Sequence, residues 1–254
     1  MNRFERGYAS ALVLVLTGVS ACRLGRGIPL ASGTAAPILL FNGTGTSAHD
    51  VAAVEDVLRD NQLVYSTADS AQLNALSEAQ LAAHRVLIFP GGNFIEMGND
   101  LEPRTTANIH RAVHGGLSYV GICAGAFLAG YSPYYKNLNL TSGVHFDFYS
   151  AEARGQRKAA VAVESAGTAP LDQYWEDGPQ LSGWGSVVGT YPDGTPAVVE
   201  GALGNGFVIL SGVHAEAPEN WRRGLVFNTP VGVDHAYSAK LILAALNRSW
   251  LTHY

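Results

Sequence analysis

Apolar and polar positions follow two different rhythms along this chain. Pro37-Ile38-Leu39-Leu40-Phe41 is an unbroken apolar run, the pattern of a strand covered on both faces in a parallel sheet. It stops in Asn42-Gly43-Thr44-Gly45-Thr46-Ser47, a turn at a strand's carboxyl end. Ser47 is placed to cap a helix over His49–Arg59, where Val51, Val54 and Val57 recur every three residues. Leu63-Val64-Tyr65 predicts a second strand. Leu73, Leu76 and Leu81 predict helix over Ala71–Ala83 with a break near Ser77. Arg85–Phe89 predicts a third strand closing in Pro90-Gly91-Gly92-Asn93, and residues 94–102 read as a loop. Pro103 or Thr105 opens a helix to about His114, ended by Gly115-Gly116. Tyr119–Ile122 is a fourth apolar run. Strands and helices alternating on short joins predict an open, mostly parallel α/β sheet with helices on both faces.

Past Tyr131 the rhythm changes. Residues 132–156 carry aromatics without a period, compatible with a lid and with ordinary packing alike. From Lys158 the pattern is strands and hairpins: Ala159–Glu164, Gln173–Trp175, Ser186–Tyr191, Ala197–Glu200 and Phe207–Leu210. Pro192-Asp193-Gly194 and Gly204-Asn205-Gly206 supply the turns. Leu241, Ile242, Ala245 and Leu246 mark a closing helix over His235–Trp250. The expectation is a three-layer αβα domain over 36–254 with an antiparallel extension in its second half.

The first residues stand apart from both rhythms. Arg3 and Arg6 precede the apolar run Ala9–Val19, and Val19-Ser20-Ala21 precede Cys22. A basic start, a short apolar core and small residues before a cleavage point describe a secretory signal over 1–21. The run is short for a transmembrane span. Val-Ser-Ala-Cys resembles the lipobox of bacterial lipoproteins. That resemblance implies lipidation of Cys22 and anchoring to a membrane of the bacterial cell envelope without spanning it. An uncleaved anchor, or plain secretion with Cys22 incidental, are the other readings. Residues 22–35 form a Gly/Ala/Ser/Pro-rich tether. A net charge of −5 without a basic block argues against nucleic acid as a partner.

The chain has two cysteines. With Cys22 committed to lipid, Cys123 has no disulfide partner, and an unpaired thiol in an exported chain calls for chemistry. Gly121-Ile122-Cys123-Ala124-Gly125 is the cysteine form of a nucleophile elbow, since an apolar strand precedes it and small, helix-compatible residues follow. The helix start brings backbone N–H groups and positive dipole toward the sulfur. A buried, inert cysteine between strand and helix is the plain alternative. His214 follows an apolar strand and is the candidate base. Glu216, two residues on, is the candidate to orient it. Gly91, Gly92 and Asn93, together with the N–H of Ala124, are candidate oxyanion donors. Singly, such residues are ordinary loop residues; together, all fall at strand carboxyl ends, where open α/β sheets bind ligands.

Other motifs add little. His110 and His114 lie four apart on one helix without a nearby carboxylate and read as a solvated face, so no metal is expected. The glycine-rich Asn42–Ser47 lacks the Lys-Ser/Thr of a phosphate loop, and no cofactor is expected. The sequon matches at Asn42, Asn139 and Asn247 read as chance. Trp175, Trp184 and Trp221 either line a pocket or fill the core.

Phe89-Pro90-Gly91-Gly92-Asn93, Gly121–Gly125 and His214-Ala215-Glu216 resemble the three signatures of the class I glutamine amidotransferase-like superfamily. Phe41–Ser47, Gly115–Ala126 and Gly206–His214 resemble, in order and spacing, the biotin–protein ligase N-terminal-like domain within it. The resemblance covers about residues 36–220. It implies a flavodoxin-like fold with Cys123 as nucleophile, His214 as base and Glu216 as third member. The family often has Pro between the His and the acid, where this chain has Ala215. On this reading the chain hydrolyses a small amide or peptide C–N bond through a thioester. A catalytically silent ligand-binding or sensing module, or a redox-sensing thiol, are the alternatives.

Overall fold

The computed structural model describes residues 35–254. The expected signal peptide, Cys22 and all but the last residue of the expected tether lie outside the described residues. Nine strands form one sheet in the order β2-β1-β3-β4-β9-β8-β7-β5-β6. Five of them run parallel: β1 (Ile38–Phe41), β2 (Tyr65–Ala68), β3 (Val86–Phe89), β4 (Ser118–Ile122) and β9 (Gly206–Ser211). Their order is the flavodoxin-like 2-1-3-4-5 once β9 is counted fifth. The other four, β5 (Lys158–Ser165), β6 (Leu171–Glu176), β7 (Ser186–Thr190) and β8 (Pro196–Leu203), extend it antiparallel.

Alternation along the strands builds the two cores. Ile38, Leu40, Ile88, Val120 and Ile122 face one layer, which includes Val54, Val57 and Leu58 of α1 (Ala48–Asp60) and Leu241, Ile242 and Ala245 of α8 (Val231–Asn247). Leu39, Phe41, Leu87, Phe89 and Tyr119 face the other. That layer holds Ile109 and Val113 of α5 (Pro103–Gly115) and Phe127 and Leu128 of α6 (Ala124–Ala129). Two short helices, α2 (Ser70–Ala75) and α3 (Glu78–Leu81), replace the single broken helix expected there, and Ser77 caps the second through Gln80.

Two expectations need correction. The second strand is Tyr65–Ala68 rather than 63–65, and Val64 is exposed. Pairing with β1 sets that register, Ile38 to Tyr65 and Phe41 to Ala68, which local apolarity did not reveal. Residues 94–102 are not all loop: Phe94–Asp100 is a helix, α4, whose first N–H groups are capped by the Asn93 side chain. Residues 132–156 include the one-turn helix α7 (Ser150–Ala153). They are tied down by Leu138, Leu140, Phe146 and Tyr149, all buried, and by backbone bonds from Leu138 and Leu140 to Leu128 and Ala129.

The carboxyl ends of β1, β3, β4 and β9 meet at one rim. The strand order reverses between β1 and β3, and there the two following loops join. Ser47 N–H donates to Gly91 O (3.1 Å) and Asn93 N–H to Gly45 O (2.7 Å). This is the switch point at which open α/β sheets leave a crevice.

Candidate active site

Cys123 sits on the rim with φ 50° and ψ −103°, outside the regions that L-residues favour. Close packing fixes this turn. A methyl on Gly125 would overlap the Phe89 carbonyl, and one on Gly121 would press on Gly125 O. The Tyr119 hydroxyl donates to Gly125 O (2.8 Å) and locks the start of α6. The flanking glycines are therefore required by backbone contact, and β4 hands Cys123 directly to the helix.

Register brings the histidine to it. β4 pairs with β9 so that Ile122 stands opposite Ser211, and Cys123 N–H donates to Ser211 O (2.8 Å). Three residues beyond Ser211, His214 is pinned by its own N–H to Tyr174 O (2.7 Å). Cys123 and His214 line the same cavity of about 830 Å³. The sulfur also approaches Glu176 O (3.5 Å).

Two carboxylates hold the imidazole. His214 Nδ1 lies 2.8 Å from Glu216 Oε1 and 3.2 Å from Asp50 Oδ1, and all three residues are buried. Burial works against the charged imidazole. The charges of the Cys123 sulfur and of the Glu216 carboxylate, the latter in hydrogen-bond contact with Nδ1, outweigh it and hold the His214 pKa well above its ordinary value. Tyr174 and Trp221 flank the ring edge-on, with centroids at 6.0 and 5.8 Å. With Nδ1 turned to the acids, Nε2 is the nitrogen left to exchange a proton in the cavity. The ligand atoms of Asp50, His214 and Glu216 lie within 4.8 Å of one another, a spacing that would also admit a small cation.

The chain matches the family profile described as biotin-protein ligase, N terminal, over residues 36–170. It belongs to that family. The matched stretch holds the elbow and the Gly91–Asn93 loop and stops before His214 and Glu216. PurLQS from Thermotoga maritima is similar in structure, with a TM-score of 0.56 at 16% identity, covering 82% of this chain and 99% of that one. A polyextremophilic β-galactosidase from Halorubrum lacusprofundi gives 0.54 at 15% identity, over 85% of this chain and 31% of that one. An exo-β-1,4-mannosidase from Opitutaceae bacterium strain TAV5 gives 0.53 at 14%, over 82% and 36%. The chain thus spans about a third of the length of these two glycosidases. At such identities the likeness is one of fold, the glutamine amidotransferase-like α/β fold. The search of curated proteins returns no match.

In this biotin–protein ligase N-terminal family member, the residues singled out in the sequence gather at one rim, with two changes among the donors. Asn93 spends its N–H on Gly45 O and its side-chain oxygen on α4. The N–H groups of Gly92 and Ala124 take no backbone acceptor among the described residues, and both residues line the cavity. Gly91 is buried behind them, where a methyl would overlap Asp50 Oδ1 and crowd His214 Cε1. Its glycine makes room for the acid and the imidazole.

Asp50 is the residue that sequence reasoning missed. It reads as an acidic first-turn residue of α1, and only its 8% exposure and its proximity to His214 reveal more. Of the three tryptophans, Trp221 lines the cavity, Trp175 is fully buried, and Trp184 packs on the core beside Gly201. His110 bonds Leu138 O, and His114 lies exposed. Among the described residues no helix is long and apolar enough to cross a membrane.

Proposed function

We propose that this protein is a cysteine-dependent hydrolase of a small amide or peptide C–N bond. The observation that carries the reading is His214, held at Nδ1 by two carboxylates and lining the same cavity as Cys123. The Cys123 thiolate adds to the carbonyl carbon and forms a C–S bond. The oxygen gathers the negative charge and is met by the N–H groups of Gly92 and Ala124. As the intermediate collapses, the C–N bond breaks and imidazolium Nε2 gives its proton to the departing amine. Neutral His214 then takes a proton from water, which attacks the thioester. The acid leaves, and the thiolate–imidazolium pair is restored. Glu216 and Asp50 keep Nδ1 protonated and the ring oriented throughout. We place the reaction at the bacterial cell envelope, with the chain exported by residues 1–21 and anchored through lipid on Cys22.

The test is mass spectrometry of the chain quenched during exposure to a panel of amides, paired with iodoacetamide alkylation at several pH values. The expected result is an acyl adduct on Cys123 and alkylation at pH 6.5 at least ~10-fold faster in the wild type than in His214→Ala. No adduct, with equal slow alkylation of both chains, would overturn the hydrolase and leave a ligand-binding module.

A further inference from the structure

We propose that the wall beside Cys123 is an acyl subsite for amides whose acyl group ends in an aromatic ring. The inference rests on the hydrolase reading and names its substrate class. Phenylalanines from three separate segments meet there: Phe94 opens α4, Phe127 lies on α6 four residues past Cys123, and Phe148 comes from the loop before α7. Phe94 stacks on Phe127 with centroids 4.5 Å apart and planes 26° apart. Phe148 tilts against Phe127 at 4.8 Å and stands 6.3 Å from Phe94. Phe148 is 42% exposed although it lines a concave site. An uncovered ring in a cavity wall is a surface that an apolar ligand group stabilises by excluding water.

Direction follows from the chemistry. His214 must reach the departing nitrogen, so the amine side of the substrate takes the wall of Tyr174 and Trp221. The acyl substituent is left to the phenylalanine wall, which begins two residues after Gly92 and one helical turn from Cys123. Rings offer tilted and offset partners to another ring and no hydrogen bond to a polar acyl chain. On β5, β6 and their flanks, Arg157 is paired with Asp177 and Glu152, and Glu176 accepts from the Tyr174 hydroxyl; Lys158 and Arg223 also line the cavity, as charges rather than as ring partners.

The full chain carrying Cys123→Ala is titrated with phenylacetamide and with propionamide, followed by nuclear magnetic resonance, and the titration is repeated with Phe148→Ala added. Phenylacetamide is expected to bind at least ~10-fold more tightly than propionamide, and Phe148→Ala to remove most of that ratio. Equal binding of the two amides overturns the subsite, as does a ratio untouched by both Phe148→Ala and Phe94→Leu. Ammonia release by the wild-type chain is read on the same amides. If phenylacetamide binds by way of Phe148 and is never hydrolysed, the hydrolase fails and the subsite stands. If both amides are hydrolysed at equal kcat/KM, the subsite fails and the hydrolase stands.

Discussion

Residue by residue, the site is a set of contacts that exclude alternatives. Cys123 holds a positive φ because Gly121 and Gly125 let β4 and α6 meet without a Cβ between them. His214 cannot turn its Nδ1 away from acid without leaving two buried carboxylates unpaired, a cost of several kcal/mol. Glu216 makes the shorter contact and Asp50 the longer, so their removal should differ. Glu216→Gln is expected to lower kcat/KM for amide hydrolysis by about 10²–10⁴. Asp50→Asn, at a positioning residue, is expected to cost about tenfold. Acting on one ring, the two losses should combine to less than their product. Steady-state kinetics of the two single variants and the double variant measures this, with iodoacetamide rates separating loss of the charged imidazole from loss of substrate binding. Cys123, His214 and Glu216 could be read in the sequence because each follows an apolar strand. Asp50 could not, since an acid in the first turn of a helix has a sufficient local explanation in the helix dipole.

Among the elements, most strands and helices follow from local pattern, and the misplacements have physical causes. β2 lies further along the chain because pairing with β1 set its position against the more apolar Leu63-Val64-Tyr65. α4 is not evident locally because Gly98, Asn99 and Asp100 weaken its helix propensity, while Asn93 supplies a cap and buried Met97 an anchor. The first turn of α8 carries a prediction of its own. Loss of water raises the Asp234 carboxyl to about 7, Arg222 at 3.5 Å pulls it the other way without offsetting the burial, and one of its oxygens has no partner. Between about pH 4 and pH 7 the folded chain therefore keeps a proton that the unfolded chain releases. Stability from this group is greatest below pH 4, declines as pH rises through 7, and changes little beyond. Thermal melts across pH 4–8 should show that decline in the wild type and a flatter profile in Asp234→Asn. Each kcal/mol corresponds to about 2–4 °C for a domain of this size. Equal profiles would remove Asp234 as the cause.

On the scale of the whole molecule, the parallel half places the rim and the antiparallel half completes it. β6 reaches back to hold His214 through Tyr174, and the segment after β9 sets Trp221 against the imidazole. The proposed export and anchoring belong to this scale too. Cys22→Ser expressed in a bacterial host is expected to move the chain from the membrane fraction to the soluble envelope fraction, with amide hydrolysis retained because the residues lining the cavity lie between Ser47 and Arg223. Fractionation with activity in both pools checks it, and an unchanged membrane share would remove the lipid anchor. The sequence by itself determined the strand cores, the elbow, the order of layers and the residue types at each strand end, because those depend on period, turn chemistry and neighbours close along the chain. Only the tertiary structure decided that Cys123 and His214 line one cavity, that Asn93 is spent on loop and helix, that Asp50 stands beside the imidazole and that three phenylalanines line that same cavity. Each of those depends on strand register and on contacts between residues far apart in the chain, which no local pattern records.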